Sequence, residues 1–199
     1  MKQIVLASGN PGKIREIRSL LAPLAIEVIP QTELGISEAE EPYDTFVENA
    51  LAKARHASRA ARLPALADDS GLSVDALGGA PGVHSAYYAG REGNREERDA
   101  RNNAKLLASL KDNRAAHYTC VIVLLETINK SPLIAEGIWH GEIARAPRGS
   151  NGFGYDPLFV VKGLGKTAAE LGAGEKNRIS HRGMALAKLL ELLRDPSRA

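Results

Sequence analysis

VLASGNPGKIREI, residues 5–17, joins an apolar run typical of a buried strand to a helix-like segment. Gly9 and Gly12 permit a tight turn between the two, and the unpaired amides at a helix start attract phosphate oxygens. Lys13 would lie in the first helical turn, where a cation opposes the helix dipole, so we expect it to face an anion. The stretch therefore favours a phosphate-binding loop that follows a strand.

This turn differs from the common nucleotide-binding P-loop. That motif needs four residues between its first glycine and Gly-Lys, and then Ser or Thr. Here only Asn10 and Pro11 separate Gly9 from Gly12, and Ile14 follows Lys13. An ordinary strand, turn and helix with a surface lysine therefore stays open as the alternative.

The rest of the chain alternates strand-like and helix-like segments. We predict strands at 3–7, 26–30, 117–126 and 133–145, and helices at 12–22, from Asp44 or Thr45 to Arg62, at 94–111, and from Ser180 to Arg194. The segment PALADDSGLSVDAL predicts a short strand, a turn and more extended chain. The two long strands joined by INKSP form an antiparallel hairpin, so we expect an α/β fold with a mixed sheet.

Composition sets broad limits on the class of protein. The 199 residues are 44% hydrophobic and 25% charged, which suits one globular domain, residues 1–199, or two dependent lobes. A net charge of +2 and only 5% aromatic residues argue against a nucleic-acid partner. One cysteine excludes an intrachain disulfide, and no apolar run has the ~18 residues that span a membrane. MKQIVLASGN lacks a signal-peptide core, so we expect a cytoplasmic protein.

Acidic residues concentrate in two places, which are the segment Glu38 to Glu48 and the pair Asp68-Asp69. Because a strand directs neighbouring side chains to opposite faces, one aspartate would face a cleft and the other the interior. Carboxylates near a phosphate site predict Mg²⁺, which prefers oxygen ligands. The alternatives are a solvated acidic face for the glutamates and an Asx turn at Asp68 to Gly71.

Two further segments contain residues suited to binding a nucleotide. SNGFGYDPLF places Phe153 and Tyr155 among glycines, where an aromatic ring can stack on a base or fill the core. GEKNRISHRG places basic side chains at a predicted helix start, where they oppose the dipole and suggest an anionic ligand: Lys176, Arg178, His181 and Arg182. A solvated basic turn is the alternative.

Six segments occur in an order that resembles a known family. They are ASGNPGKIREI, ENALAKARHA, LADDSGLSVDALGGAPGVHSA, GFGYDPLF, GKTAAEL and ISHRG. Together they resemble the inosine triphosphate pyrophosphatase family, in its bacterial dITP/XTP pyrophosphatase branch, from residue 1 to about residue 194. The resemblance implies an elongated mixed sheet with flanking helices, two lobes around a central active-site cleft, and a homodimer. It also implies Mg²⁺-dependent hydrolysis of non-canonical purine nucleoside triphosphates (dITP, ITP, XTP, dXTP) to the monophosphate and pyrophosphate.

The resemblance also implies roles for individual residues. Asp69 matches the proposed proton acceptor and a metal ligand, Glu40 or Glu41 a further metal carboxylate, and Lys53 a phosphate or catalytic partner. The residues that match substrate-binding positions are Ser8, Gly9, Asn10, Pro11, Gly12, Lys13, Ser70, Phe153, Gly154, Tyr155, Asp156, Lys176, His181 and Arg182. Ser8 departs from the threonine common in the family but keeps the hydroxyl.

The chemistry of a triphosphate agrees with these roles. Mg²⁺ and lysines would neutralise its charge, and a carboxylate would orient or deprotonate the attacking water. Because a carboxylate bound to metal is a weaker base, Asp69, Asp68 and Glu41 all stay open as the base. A donor such as Arg182 or a backbone amide would select a 6-keto purine over adenine. A nucleotide sensor without activity and an enzyme for modified pyrimidines are the other hypotheses.

Overall fold

The computed structural model describes residues 2–194, with six β-strands and five α-helices in that range. The strands are Gln3–Leu6 (β1), Glu27–Pro30 (β2), Ala65–Val74 (β3), Ala115–Leu125 (β4), Leu133–Ile143 (β5) and Phe159–Val161 (β6). The helices are Pro11–Leu21 (α1), Phe46–Ala61 (α2), Arg95–Ser109 (α3), Ala173–Ile179 (α4) and His181–Arg194 (α5). No helix in the described residues is long and apolar enough to cross a membrane.

The strands form one mixed sheet in the order β2-β1-β3-β4-β5-β6. Strand β1 pairs in parallel with β2, where Gln3 lies opposite Glu27, and with β3, where Val5 lies opposite Ala65. Strands β5 and β6 are antiparallel, with Gly141 opposite Val161. The prediction of an α/β fold with a mixed sheet and flanking helices is therefore confirmed.

The chain forms two compact units. The first unit contains the residues up to Asp69, Cys120–Gly137, and the residues from Arg182 onward. The second unit contains Ser70–Thr119 and Ile138–His181. The chain passes from one unit to the other inside β3, β4 and β5, so neither unit is a continuous segment.

The core of the first unit has two faces, separated by the sheet. On one face, Ile4 and Leu6 of β1 pack with residues of α1 and α5, among them Ile17 and Leu186. On the other face, β1 packs against the small residues of α2; this cluster includes Val5, Ala7, Ala50, Ala54 and Ala57. Because neighbouring strand residues point in opposite directions and both faces are covered, β1 is apolar from Ile4 to Leu6.

The two helices nearest the predicted site begin with side-chain caps. The Asn10 side chain accepts hydrogen bonds from the backbone amides of Gly12 and Lys13, and Pro11 occupies the first turn. Thr45, one of the two predicted caps of α2, accepts a hydrogen bond from the amide of Glu48 at 3.3 Å. Each cap satisfies amides that a helix start leaves unpaired. Both helices match the sequence prediction.

The predicted turn at Asp68 to Gly71 is wrong, and so is the Asx-turn alternative. These residues lie inside β3, a continuous strand of ten residues. An aspartate makes an Asx turn by bonding to nearby backbone. Here the Asp68 and Asp69 side chains instead bind cations from other elements, at 3.0 Å and 2.8 Å. The strand can therefore continue through both residues.

The helix predicted from Ser180 to Arg194 is confirmed as α5, but the placement of Lys176 and Arg178 at its start is wrong. Two helices occupy this segment, and Lys176 and Arg178 lie in the last turn of α4, where cations favour the dipole. Only His181 and Arg182 begin a helix, α5. Sequence periodicity missed α4 because this helix has just seven residues.

Candidate functional site

The loop between β1 and α1 is fixed by its own side chains. The backbone amide of Asn10 donates to Ser8 Oγ at 3.2 Å. The side-chain oxygen of Asn10, Oδ1, accepts from the backbone amides of Gly12 and Lys13 at 2.9 Å and 3.3 Å. The two amides expected to face a phosphate are thus capped by Asn10. The loop keeps its shape through these bonds, and the Lys13 ammonium is its cationic group.

A carboxylate from the acidic segment lies directly against this loop. A β-carbon added at Gly9 would lie only 2.8 Å from Glu38 Oε1. The glycine at this position therefore lets the acidic segment approach the backbone of the loop closely.

Asp68 is the centre of a buried network of charges. Its Oδ2 accepts from Lys13 Nζ at 3.0 Å and from Arg182 at 3.0 Å (Nη2) and 3.3 Å (Nε). The guanidinium, only 1% exposed, also pairs with Glu16 of α1. Burial lowers the pKa of Arg182, but Asp68 and Glu16 more than offset this and hold it above its ordinary value. The cation predicted to face a ligand is therefore held by protein carboxylates.

Asp69 faces a second group of charges on α2. Lys53 Nζ lies 2.8 Å from Asp69 Oδ1 and 3.0 Å from Glu41 Oε2, so one ammonium joins two carboxylates. Asn49 Nδ2 lies 3.5 Å from the other oxygen, Asp69 Oδ2. The Asp69 and Lys53 side chains are 8% and 10% exposed, and that of Glu41 is 45% exposed. The group therefore has a buried base and an open, solvent-facing side.

Burial acts on the two ends of this ion pair differently. It raises the pKa of Asp69, against the opposing attraction of Lys53 and Lys13, and the net shift is upward. Burial lowers the pKa of Lys53, but attraction to Asp69, Glu41 and Asp68 outweighs burial and raises it. Lys53 therefore stays protonated, while Asp69 is more basic than an exposed aspartate.

The carboxylates beside Lys53 suit a hard cation. Mg²⁺ is commonly held by one or two carboxylates, with water and substrate phosphates completing its shell. Asp69 and Glu41 are such a pair, since both direct an oxygen at one cationic position. Residues 2–194 contain no group of three or more His, Cys, Asp or Glu side chains arranged as a complete metal cage. The donor set therefore fits a metal that shares its ligands with substrate.

The second unit brings together three of the predicted nucleotide-binding residues. Lys176 Nζ lies 2.5 Å from Asp156 Oδ2, and both side chains are buried. The same oxygen accepts from the Phe153 amide at 2.9 Å, and Lys176 Nζ lies 4.9 Å from the centre of the Phe153 ring. The half-buried Phe153 therefore has a cation against its face and a carboxylate on its backbone.

Helix α3 fixes the peptide next to Phe153. The Gly154 amide donates to Asp99 Oδ2 at 2.9 Å, and its carbonyl accepts from Asn103 Nδ2 at 2.9 Å.

The two aromatic residues of this loop, Phe153 and Tyr155, differ in environment. Tyr155 is 4% exposed and donates to the Ser85 carbonyl at 2.9 Å, and burial raises the pKa of its hydroxyl. Tyr155 therefore fills the core, as the alternative interpretation predicted.

His181 belongs to a stack of rings in the second unit. Its ring lies 4.6 Å from that of Tyr118, nearly parallel at 8°, and 6.1 Å from that of Trp139. His181 is 4% exposed. Stacking fixes the plane of the imidazole, and so the directions in which its two nitrogens point.

Two predicted residues stand apart from these groups. Glu40 is exposed and forms no ion pair among the described residues, whereas its neighbour Glu41 binds Lys53. Ser70 lies half-buried in β3, directly after Asp69.

Sequence reasoning missed Glu16 and Asn49, which contact the predicted site residues Arg182 and Asp69. Helical spacing offered a signal, because Asn49 and Lys53 are four residues apart and so share a face of α2.

Comparison with known proteins gives a consistent family. The model of the Ham1 family matches residues 4–192. A dITP/XTP pyrophosphatase of Ralstonia nicotianae is 61% identical over 197 residues, which cover 98% of each chain. The similarity therefore extends over nearly all of this chain.

Solved structures agree with this similarity. A HAM1 protein from Coxiella burnetii has a TM-score of 0.86 and 51% identity, covering 100% of both chains. A nucleoside-triphosphatase / dITP/XTP pyrophosphatase from Mycobacterium abscessus has a TM-score of 0.72 and 44% identity, covering 96% of this chain and 100% of its own.

Proposed function

This chain belongs to the Ham1 family, and we propose that it hydrolyses dITP, ITP, XTP and dXTP to the monophosphate and pyrophosphate. Such a reaction removes non-canonical purine nucleotides from the nucleotide pool. The observation on which the proposal depends is the Asp69–Lys53–Glu41 group, because it combines a buried base of raised pKa with a fixed cation. The names of full-length relatives at high identity support the same activity.

Asp69 is our choice for the base, and it can also be a metal ligand because the two roles fall on different oxygens: Oδ1 is on the side shared with Glu41, and Oδ2 is left to accept the proton. Asp68 is unsuitable because the Asp68 oxygen that binds Lys13 also binds Arg182, and its side chain is 0% exposed. Asp69 has one oxygen on Lys53 and the other only in a long contact with Asn49. A raised pKa brings a carboxylate closer to the pH at which it can accept a proton from water.

Mg²⁺ is the proposed cofactor, with Asp69 and Glu41 as its protein ligands. We prefer Glu41 to Glu40 because only Glu41 shares a cation with Asp69. When bound, Mg²⁺ would neutralise phosphate charge and acidify bound water. Lys53 contributes a fixed positive charge whose pKa is raised, so it can stabilise charge on the leaving pyrophosphate.

We propose the contacts to the phosphates and to the purine for each unit in turn. In the first unit, we propose that Lys13 and the loop Ser8–Gly12 bind the triphosphate. We propose a backbone amide as the donor to the 6-keto oxygen, because the Arg182 guanidinium is buried against Asp68 and Glu16. In the second unit, we propose that Phe153 stacks on the purine. We assign the remaining purine contacts to Ser70, to residues 154–156, to Lys176 and to His181. Because the Tyr155 side chain is buried, only its backbone would contact the purine.

The biological setting completes the proposal. We propose a cytoplasmic homodimer that acts on free nucleotides. The two units would not fold independently, because β3, β4 and β5 each contribute residues to both. Light scattering coupled to size exclusion would test the dimer. Separate expression of the segments would test the proposal that residues 1–199 form a single domain. Residues 1 and 195–199 of this domain lie outside the described range.

Product analysis tests the reaction itself. Purified protein with Mg²⁺ would be given dITP, XTP, dGTP and ATP in parallel, and pyrophosphate would be resolved from orthophosphate. We expect pyrophosphate from dITP and XTP and little product from ATP or dGTP. Orthophosphate as the direct product would overturn the proposed bond cleavage, and binding without turnover would indicate a sensor.

A further inference from the structure

We propose that Asn49 is a positioning residue for this reaction, which orients Asp69 and holds residues 38–45, the part of the acidic segment that precedes α2. The inference rests on the proposed function, and it extends the site to a side chain that contacts no reacting atom. Asn49 is 2% exposed and lies on α2, one helical turn before Lys53.

The first step is the bond pattern between Asn49 and the acidic segment. Asn49 Oδ1 accepts from the Tyr43 amide at 3.1 Å, and Asn49 Nδ2 donates to the Tyr43 carbonyl at 3.0 Å. One side-chain amide thus satisfies both backbone groups of a single residue, as a neighbouring strand would. This fixes the chain two residues from Glu41.

A second anchor lies near the other end of the segment. The His56 ring forms a hydrogen bond of 2.9 Å between Nε2 and the Ser37 carbonyl, and His56 also belongs to α2. Glu38 to Glu41 therefore lie between two attachments to the same helix. Since the carboxylates in this span are exposed, the anchors rather than burial set where Glu41 meets Lys53.

The second hydrogen of the Asn49 amide accounts for the orientation of Asp69. A primary amide has two donors, and the Nδ2 that binds Tyr43 also lies 3.5 Å from Asp69 Oδ2. Lys53 holds the other oxygen, Oδ1, at 2.8 Å. The two donors fix the plane of the carboxylate, and the longer contact leaves Oδ2 the less strongly engaged of its oxygens.

A matched control exists in the second unit. Asn102 is 1% exposed, accepts from the Ala89 amide at 2.7 Å, and donates to the Ser85 and Ala86 carbonyls at 3.2 Å each. Its side chain thus joins backbone segments just as Asn49 does, but its hydrogen-bond partners among the described residues are backbone groups and include no carboxylate. A purely structural role would make the two residues behave alike.

The experiment measures kcat/KM for dITP, the urea midpoint and the hydrogen-exchange rate of the Tyr43 amide in Asn49→Leu and Asn102→Leu at one fixed Mg²⁺ concentration. Asn49→Leu removes the acceptor of the Tyr43 amide, so this amide should exchange faster than in the wild type. Activity of Asn49→Leu should fall roughly 10–100-fold, as for residues that orient metal ligands. Asn102→Leu should lose stability, while its kcat/KM and the exchange of the Tyr43 amide stay near the wild-type values.

Each outcome decides between the alternatives. Wild-type kcat/KM in Asn49→Leu, or an equal loss of kcat/KM in Asn102→Leu, would overturn the positioning role. Asn49→Ser is the substitute if the leucine variant does not fold, because it removes both amide donors with less steric change. A wild-type protein that releases no pyrophosphate would instead refute the proposed function.

Discussion

Asp68 and Asp69 are consecutive residues of β3, yet they bind cations from opposite faces of the sheet. Asp68 pairs with Lys13 of α1 and Arg182 of α5, whereas Asp69 pairs with Lys53 of α2. The two-residue period of a strand produces this separation. It gives Asp68 a buried environment, in which two cations share one oxygen, and gives Asp69 an environment that opens through Glu41 to solvent.

Asp69→Asn should abolish turnover of dITP while nucleotide binding persists. The amide keeps the shape but cannot accept the proton from water, and loss of general base catalysis costs roughly 10²–10⁴-fold. Initial rates of pyrophosphate release and equilibrium binding of dITP would be measured together. Asp112→Asn is the control, because Asp112 is exposed between α3 and β4. A full rate in Asp69→Asn would disprove the assigned base.

Asp68→Asn should act mainly on stability. It removes the negative charge that the buried Arg182 and the half-buried Lys13 share, and breaking a buried ion pair typically costs about 3–5 kcal/mol. Urea unfolding would measure the loss. The double variant Asp68→Asn with Arg182→Met should recover part of it, since the uncompensated guanidinium is then absent. Additive losses in the double variant would show that the pair is not coupled.

Lys53→Met should move the acid limb of the pH profile upward and lower the rate. Burial raises the pKa of Asp69, and Lys53 opposes that shift, so removing the ammonium lets the pKa rise further. The profile of kcat/KM for dITP reports this group in the free enzyme. A downward or absent shift would contradict the ion pair.

The same lysine should make stability depend on alkaline pH. Its folded pKa is raised above the ordinary 10.5, so its contribution to the free energy of unfolding is present below pH 10.5. That contribution is lost as pH rises through the folded value. Urea midpoints between pH 9 and 12 should therefore fall more steeply in the wild type than in Lys53→Met. Parallel curves would rule out the linkage.

Gly71→Ala should destabilise the protein by about 1–3 kcal/mol. A β-carbon there would lie 2.1 Å from the Gly82 carbonyl oxygen, and backbone cannot move aside as a flexible side chain can. Gly174→Ala is the control, because its β-carbon would meet no atom within 4 Å and alanine favours the helix. In thermal unfolding, the midpoint should fall in Gly71→Ala and should rise or stay unchanged in Gly174→Ala. Equal losses of stability in the two variants would argue against the close approach at Gly71.

The sequence alone was enough to predict the class of fold and most elements. Apolar runs and helical spacing are local, so β1, α1 and α2 follow from residues that are neighbours in the chain. The motif order also identified the family, which the comparisons confirm. The divergence of Asp68 and Asp69 was predictable as well, because it needs only the period of a strand.

The cations that each aspartate meets were decided by tertiary structure. Arg182 lies 114 residues from Asp68 in the chain, and Lys53 lies 16 residues from Asp69, so no local pattern pairs them. The same pairing kept β3 extended where a turn was expected, and it placed Arg182 in the interior. The types and order of the chemical groups are properties of the sequence, whereas the partners that neutralise them, and hence their pKa values, arise only when distant segments are buried together.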